Sequence, residues 1–276
     1  RARLSDARFF YEEDMRIELE EYSKQLEGVV FFQKRGSQAQ RVERIIELSS
    51  RIAKMLGHGQ SWKQKSIRIA ELCKFDLQTQ MVYEFPELQG IMGEVYAGFK
   101  GEETEICRGI REHYLPRTAG DSLPENKEPL PVALADRMDL LAVAFSLQMI
   151  PTGSADPFAL RRTAQGVVQI VLGLRLSLDW PELARGAVEA LQKQQESIPE
   201  IGILQEQLVE FLHQRERWYL QDRGFRYDLV EALLRHPEGT PLRRQKLAEE
   251  LEDELGKASF KKAVEAVVRV VNISTK

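Results

Sequence analysis

The stretch Ile150-Pro151-Thr152-Gly153-Ser154-Ala155-Asp156-Pro157-Phe158-Ala159-Leu160-Arg161-Arg162 gathers the parts of an anion site. A helix start offers unpaired amides and the positive end of the peptide dipoles. Asp156 and Pro157 read as its N-cap and first helical residue. Arg161 and Arg162 stand on the next turn, with Gln165 and Gln169 continuing the Arg162 face. A capping carboxylate, however, occupies the first amides and repels a second anion. Two readings stay open: phosphate binding by the two arginines, or ion pairs from them to buried carboxylates.

Ala135-Asp136-Arg137-Met138-Asp139 sets two carboxylates three residues apart on one helix surface. The residues beyond, Leu140 to Ile150, are apolar nearly all round and therefore buried. A carboxylate entering such a core needs a partner. Asp136 is either a metal ligand or the partner of an arginine such as Arg161 or Arg162, and the arginine is preferred because no histidine cluster accompanies it. The third stretch is Phe85-Pro86-Glu87-Leu88-Gln89-Gly90-Ile91-Met92-Gly93. Pro86 and Glu87 suit a first helical turn. Gly90 and Gly93 then fall within one turn, where each interior glycine costs about 1 kcal/mol relative to alanine. Close approach of another helix or of a nucleic-acid backbone would account for them.

Familiar catalytic patterns are missing. The sequence has no G-x-x-x-x-G-K-[ST], no G-x-G-x-x-G after a strand, no H-E-x-x-H and no G-x-S-x-G. No two of its four histidines, His58, His113, His213 and His236, lie four residues apart, so no helix offers a two-histidine metal face. Each reads as a surface or capping residue. Cys73 and Cys107 are too few for a disulfide scaffold or a multi-cysteine zinc site, and suit a reducing compartment.

The elements that must position these groups are helices. Leu130, Leu134, Met138, Leu141, Phe145 and Met149 recur every three or four residues on one face. Leu160, Ala164, Val167, Val171 and Leu174 repeat the pattern, as do Leu204, Leu208, Phe211 and Leu212, then Leu229 and Leu233, then Val264, Val267 and Val271. Val29 to Phe32 is the best strand candidate and is too short to build a sheet. The expected class is all-α. Gly57-His58-Gly59, Pro86, the proline-rich stretch from Leu115 to Pro131, Pro151 to Pro157 and Gly239-Thr240-Pro241 break the helices. Leu178-Asp179-Trp180-Pro181 marks a domain border between residues 1–177 and 178–276. The acidic run Glu249 to Glu254, flanked by Arg243, Arg244, Lys246, Lys257 and Lys261, reads as a solvated helix face.

Four segments, in this order and spacing, resemble the beta subunit of bacterial heterotetrameric glycyl-tRNA synthetase. They are Arg1-Ala2-Arg3-Leu4-Ser5-Asp6-Ala7-Arg8-Phe9-Phe10-Tyr11-Glu12-Glu13-Asp14, Glu84 to Gly93, His113-Tyr114-Leu115-Pro116-Arg117, and Ile150 to Arg162. The resemblance is strong from Arg1 to about Leu174 and looser beyond. It implies that the chain, which opens without Met, is an internal to C-terminal slice lacking the family's N-terminal portion and the tail after Lys276. The middle of the family is similar to an HD-type phosphohydrolase domain. That likeness places the metal-ligand positions on Gln38, Phe75, Asp76 and Asp136, and neither Gln38 nor Phe75 replaces an imidazole. The implied domain is a degenerate HD scaffold with no catalytic residue and no metal. Tyr219, Gly224-Phe225-Arg226-Tyr227-Asp228 and Leu229 to Leu234 resemble the start of a DALR-type anticodon-binding bundle.

The resemblance further implies a tRNA-binding accessory role. Aminoacylation, with its ATP and Mg, would lie on the alpha subunit of a heterotetramer of two alpha and two beta subunits, and this piece alone would be inactive. tRNA(Gly) and the alpha subunit are then the partners. Arg117, Arg161 and Arg162 are positions where a tRNA phosphate contact makes physical sense. Lys63, Lys65 and Arg68 form a second basic cluster, whose alternative is plain surface solvation. A metal-dependent HD phosphohydrolase, motivated by Asp76 and Asp136, and a subunit scaffold without RNA contact are the competing readings.

Composition bounds all of these. The chain has 276 residues, 43% hydrophobic and 30% charged, enough to bury a core without staples. Thirty-nine basic against forty-three acidic residues give a net charge of −4. That excludes coating nucleic acid by bulk charge but leaves room for a local basic patch. No stretch approaches the ~18 apolar residues of a membrane span, no secretory signal is read at the start, and the expected location is cytoplasmic.

Overall fold

The computed structural model describes residues 2–57, 59–118, 120–195, 198, 200–235 and 239–274. Of the sequence features above, Arg1, His58 and His236 lie outside these. The architecture is all-α, as the periodicity requires. The helices are α1 (Ala2–Asp14), α2 (Leu19–Gln25), α3 (Gln38–Met55), α4 (Gln60–Leu72), α5 (Gln80–Glu84), α6 (Ile91–Phe99) and α7 (Thr104–Glu112). They continue as α8 (Leu130–Ser146), α9 (Leu160–Gly173), α10 (Trp180–Gln194), α11 (Ile201–Asp222), α12 (Tyr227–Arg235), α13 (Pro241–Leu255) and α14 (Ala258–Ser274). Short 3-10 turns cover Leu26–Gly28, Phe75–Gln78 and Pro86–Leu88. The strand candidate becomes β1 (Val30–Phe32), which pairs only with β2 (Gly36–Ser37), antiparallel.

α8 is the hub. Its buried residues include Val132, Ala133, Leu134, Met138, Leu141 and Phe145. It packs against α3, α9, α10 and α11. Burying each such Leu or Phe contributes about 1.5–3 kcal/mol, so this helix anchors the core. Met149 departs from the expected face: α8 stops at Ser146 and Met149 is exposed. α3 is set by a capping box. Ser37 Oγ accepts from the Gln40 amide at 3.3 Å, and Gln40 Oε1 accepts from the Ser37 amide at 3.0 Å. Ile45, Leu48 and Ile52 are buried on α3, which packs against α8, α4 and α10.

Two helix starts differ from the sequence reading. Pro86 opens a 3-10 turn, and α6 begins only after Gly90, whose φ of +80° suits glycine. α9 begins at Leu160, three residues after Pro157, with Ala159 as a left-handed N-cap. The Asp156 carboxylate still satisfies the helix end from outside, accepting from the Leu160 amide at 2.8 Å and the Arg161 amide at 3.0 Å.

One hydrophobic cluster runs from Leu19 to Leu234. Trp180 and Leu183 of α10 belong to it, packed beside α3 and α8, so the core continues across Leu178. On α14, Val264 and Val267 are exposed; the side chain of Val271 lies outside the described residues. No described helix is long and apolar enough to cross a membrane.

Candidate functional site

α8 carries Asp136 and Asp139 into the core, and cations meet both. Asp139 is paired with Arg44 of α3, through Nε at 2.5 Å and Nη2 at 3.1 Å. Asp136 Oδ1 accepts from Arg41 Nη2 at 2.8 Å, and its Oδ2 from Lys74 Nζ at 2.9 Å. The arginine reading of Asp136 therefore holds in kind, but the partners are Arg41 and Lys74. Arg161 and Arg162 pair with no carboxylate among the described residues. Burial alone would raise the Asp136 pKa; the charges of Arg41 and Lys74 outweigh it and hold the carboxyl well below the usual range.

Lys74 has a second partner. Its Nζ lies 3.1 Å from Nε2 of His113, whose Nδ1 is 2.7 Å from the Ile110 carbonyl. These neighbours assign the tautomer: Nδ1–H donates to Ile110 and Nε2 accepts from the ammonium. Burial, followed by the Lys74 charge, pushes the His113 pKa well below its ordinary value and keeps the ring neutral. His113 is the C-cap of α7, as a capping reading allows, but it is fully buried and no surface residue. The ammonium also stands 4.1 Å from the Tyr114 ring centroid.

Of the four positions that the resemblance marked, Asp136 pairs with this lysine and Phe75 and Asp76 follow it in the chain. Phe75 is fully buried and packs near Tyr22, with ring centroids 6.3 Å apart. Asp76 is fully buried, and its Oδ2 accepts the Gly90 amide at 2.5 Å. Burial raises its pKa to about 6, although the Gly90 amide and Lys74 pull the other way. Gln38 begins α3 one turn before Arg41. These residues do not fit a divalent cation: one position is a phenyl ring, and Asp136 already holds two cationic side chains. No group of three or more His, Cys, Asp or Glu suited to a metal occurs among the described residues.

The glycines of the third stretch serve packing. A Cβ on Gly90 would come within 2.6 Å of the Tyr114 ring, and one on Gly93 within 2.7 Å of Ile110. Tyr114 is thereby fixed, donating to the Cys73 carbonyl at 3.1 Å and accepting from Gln89 Nε2 at 2.8 Å. Arg117 donates to the Gln89 carbonyl at 2.7 Å and lies beside the Tyr114 ring. Arg137 is consumed by the scaffold, donating to the carbonyls of His113, Ala133, Tyr114 and Pro116 at 2.8–3.0 Å. Burial lowers its pKa to about 10.

Above this wall lies a cavity of about 320 Å³ lined by Arg41, Gln89, Tyr114, Arg117, Asp136 and Arg162 among others. A second cavity of about 250 Å³ adjoins it, sharing Pro116 and Arg162 and adding Arg161, Gln165, Arg215 and Trp218. Arg117, Arg161, Arg162 and Arg215 have no carboxylate partner among the described residues. Arg161 instead donates to the Gly153 carbonyl at 2.8 Å. Burial lowers the Arg215 pKa, and the nearby Arg161 charge adds to the effect. The result is a groove with four guanidiniums that form no ion pair among the described residues, and two aromatic rings; Asp156 and Asp76 act on Arg215 and Arg117 only at longer range. Its one lining carboxylate, Asp136, is already doubly paired. Guanidiniums and aromatic rings so placed have the chemistry to hold an anion such as a phosphate.

A model of the glycyl-tRNA synthetase beta subunit matches residues 1–235. The chain belongs to that family. It is 47% identical over 277 residues to the glycine–tRNA ligase beta subunit of Halalkalibacterium halodurans, covering all of this chain and 40% of that protein. With the beta subunit of Bacillus subtilis it is 40% identical over 276 residues, covering all of this chain and 39% of that protein. The beta subunit of Desulfitobacterium hafniense is 42% identical over 277 residues. The chain thus spans about 40% of the length of these curated relatives.

Within this chain, the two adjoining cavities bring together three residues marked from sequence: Arg117, Arg161 and Arg162. The second basic cluster stands elsewhere and is largely neutralised. Lys65 pairs with Glu103 at 2.7 Å and Glu105 at 3.3 Å; Arg68 pairs with Glu20, Glu71 and Glu102. Lys63, beside them on α4, is half-buried. Arg41, Arg215 and Trp218 were missed. Arg215 and Trp218, three apart on α11, carry the one local signal, a cation and an aromatic on one helix face. Arg41 carries none, because its partner Asp136 lies 95 residues away.

Proposed function

We propose that this chain is the tRNA-binding accessory part of a glycyl-tRNA synthetase beta subunit. The observation that carries the reading is the groove of Arg117, Arg162, Arg161 and Arg215, free of carboxylate partners among the described residues in a chain of net charge −4. Gathering four guanidiniums with no ion pair around two adjoining cavities is unfavourable unless an anion completes them. Family membership makes tRNA(Gly) the polyanion of choice.

In this reading, residues 1–177 are a degenerate HD-like scaffold in which Lys74 supplies the positive charge a metal would bring. Residues 178–276 begin a DALR-like bundle that contributes Arg215 and Trp218. Aminoacylation, with ATP and Mg, takes place on the alpha subunit of a cytoplasmic heterotetramer of two alpha and two beta subunits. The chain contributes by holding the tRNA in place, and is inactive alone.

The test is Arg117→Ala with Arg162→Ala, introduced into the assembled synthetase. The expected result is a raised KM for tRNA(Gly), with the KM values for glycine and ATP unchanged. An unchanged KM for tRNA in the folded variant overturns the assignment.

A further inference from the structure

The part of the groove between α9 and α11 differs in chemistry from the rest. Gln165 and Gln169 stand at four-residue spacing on α9, with Arg161 on the same face. Arg215 and Trp218 stand three apart on α11. The cavity they share, about 250 Å³, has no acidic residue in its lining. Trp218 is 44% exposed, an unusual condition for a large aromatic side chain. Gln165 is about nine-tenths buried, and its Nε2 donor has no hydrogen-bond partner. The Arg215 Nε is likewise buried and unpartnered.

Phosphates alone do not account for this composition. A backbone groove needs cations, and has no use for an exposed indole ring or a buried amide donor. A nucleobase uses both. Its face stacks on an aromatic ring, and its carbonyl or ring nitrogen accepts from an amide. We propose that this cavity takes one unstacked RNA nucleotide, its base against Trp218 and Gln165 and its phosphate on Arg162 and Arg215. The inference rests on the RNA reading of the groove and narrows it to a single-stranded or splayed segment. A base locked in a duplex cannot enter, because both of its faces are already stacked.

Two RNA probes test this on the whole chain: a short mixed-sequence single strand and a blunt-ended duplex of equal length. Single-strand binding should quench tryptophan fluorescence in the parent chain and not in Trp218→Phe, since Trp180 is fully buried and Trp62 lies on α4, outside the lining of this cavity. Trp218→Ala should weaken single-strand binding about ten-fold or more, consistent with the loss of one base–aromatic stack. Trp218→Phe should keep affinity within about three-fold, and duplex binding should not respond to either change. Gln165→Met should weaken the single strand and spare the duplex. If Trp218→Ala binds the single strand as the parent does, or weakens both probes equally, the base pocket is overturned. Arg162→Ala with Arg215→Ala separates the two ideas. If that pair weakens both probes while Trp218→Ala changes nothing, the arginine groove stands and the base pocket falls. If the pair leaves both probes bound as in the parent, the groove itself falls.

Discussion

The Lys74 ammonium stands 2.9 Å from the Asp136 carboxylate, in the buried interior between α3 and α8 and next in the chain to the buried Phe75 and Asp76. The scaffold thus carries its own cation there. Lys74→Met should leave Asp136 with Arg41 as its remaining ion-pair partner and destabilise the chain by about 3 kcal/mol, the scale for a broken buried pair. Denaturant unfolding at neutral pH reads this directly. A change within about 0.5 kcal/mol would mean that the pair does not hold the core. Adding Mn or Mg to the parent chain should not raise its Tm.

Asp136 and Asp76 give opposite pH dependences. The charges of Arg41 and Lys74 hold the Asp136 carboxyl well below the ordinary carboxylate range, so its stabilisation is present above that range and is lost as the pH falls through it. Asp76 is raised from 3.8 to about 6, mainly by burial. Its protonated form suits the fold, so the chain loses up to about 3 kcal/mol from this group as the pH rises from 4 to 7. Asp76→Asn keeps an oxygen acceptor for the Gly90 amide and removes the titration. Stability measured from pH 4 to 8 should then fall less with rising pH than in the parent. Parallel curves for the two proteins would show that Asp76 does not titrate in this window.

Gly90→Ala should destabilise by about 2 kcal/mol or more, because the new methyl meets Tyr114 and the backbone is left-handed there. Thermal melting measures the loss. RNA binding by the fraction that remains folded should be weaker too, since Tyr114 and Arg117 form one wall of the groove. An unchanged Tm would show that Tyr114 can move aside.

Arg68→Ala makes a contrasting case. Its three carboxylate partners already neutralise it. It should therefore change stability by under about 1 kcal/mol and leave tRNA affinity within two-fold. A clear loss of tRNA affinity would restore α4 as part of the interface.

Helices were legible because the core is built from apolar residues every three or four positions, and α8, α9 and α11 follow that spacing closely. Their ends were less so. Asp156 caps α9 from four residues before Leu160, through a left-handed Ala159 that no local pattern signals. The site was half legible. Arg117, Arg161 and Arg162 stand in segments of distinctive type. Arg41 comes from α3 and Lys74 from the turn after α4, and they meet Asp136 only through packing. Lys65 and Arg68 resemble an interface in one dimension, and only the fold brings Glu102, Glu103 and Glu105 against them. Long-range charge pairing decides which cations are free, and spacing along the chain does not encode it.

The most direct test of an arginine groove for RNA is the salt dependence of tRNA(Gly) binding in the parent chain and in Arg162→Ala and Arg215→Ala. Each arginine that holds a phosphate adds about one to the slope of log affinity against log salt. Each single replacement should therefore reduce that slope by about 1 and weaken binding at low salt. Slopes identical to the parent, with folding intact, would contradict the groove as the seat of tRNA binding.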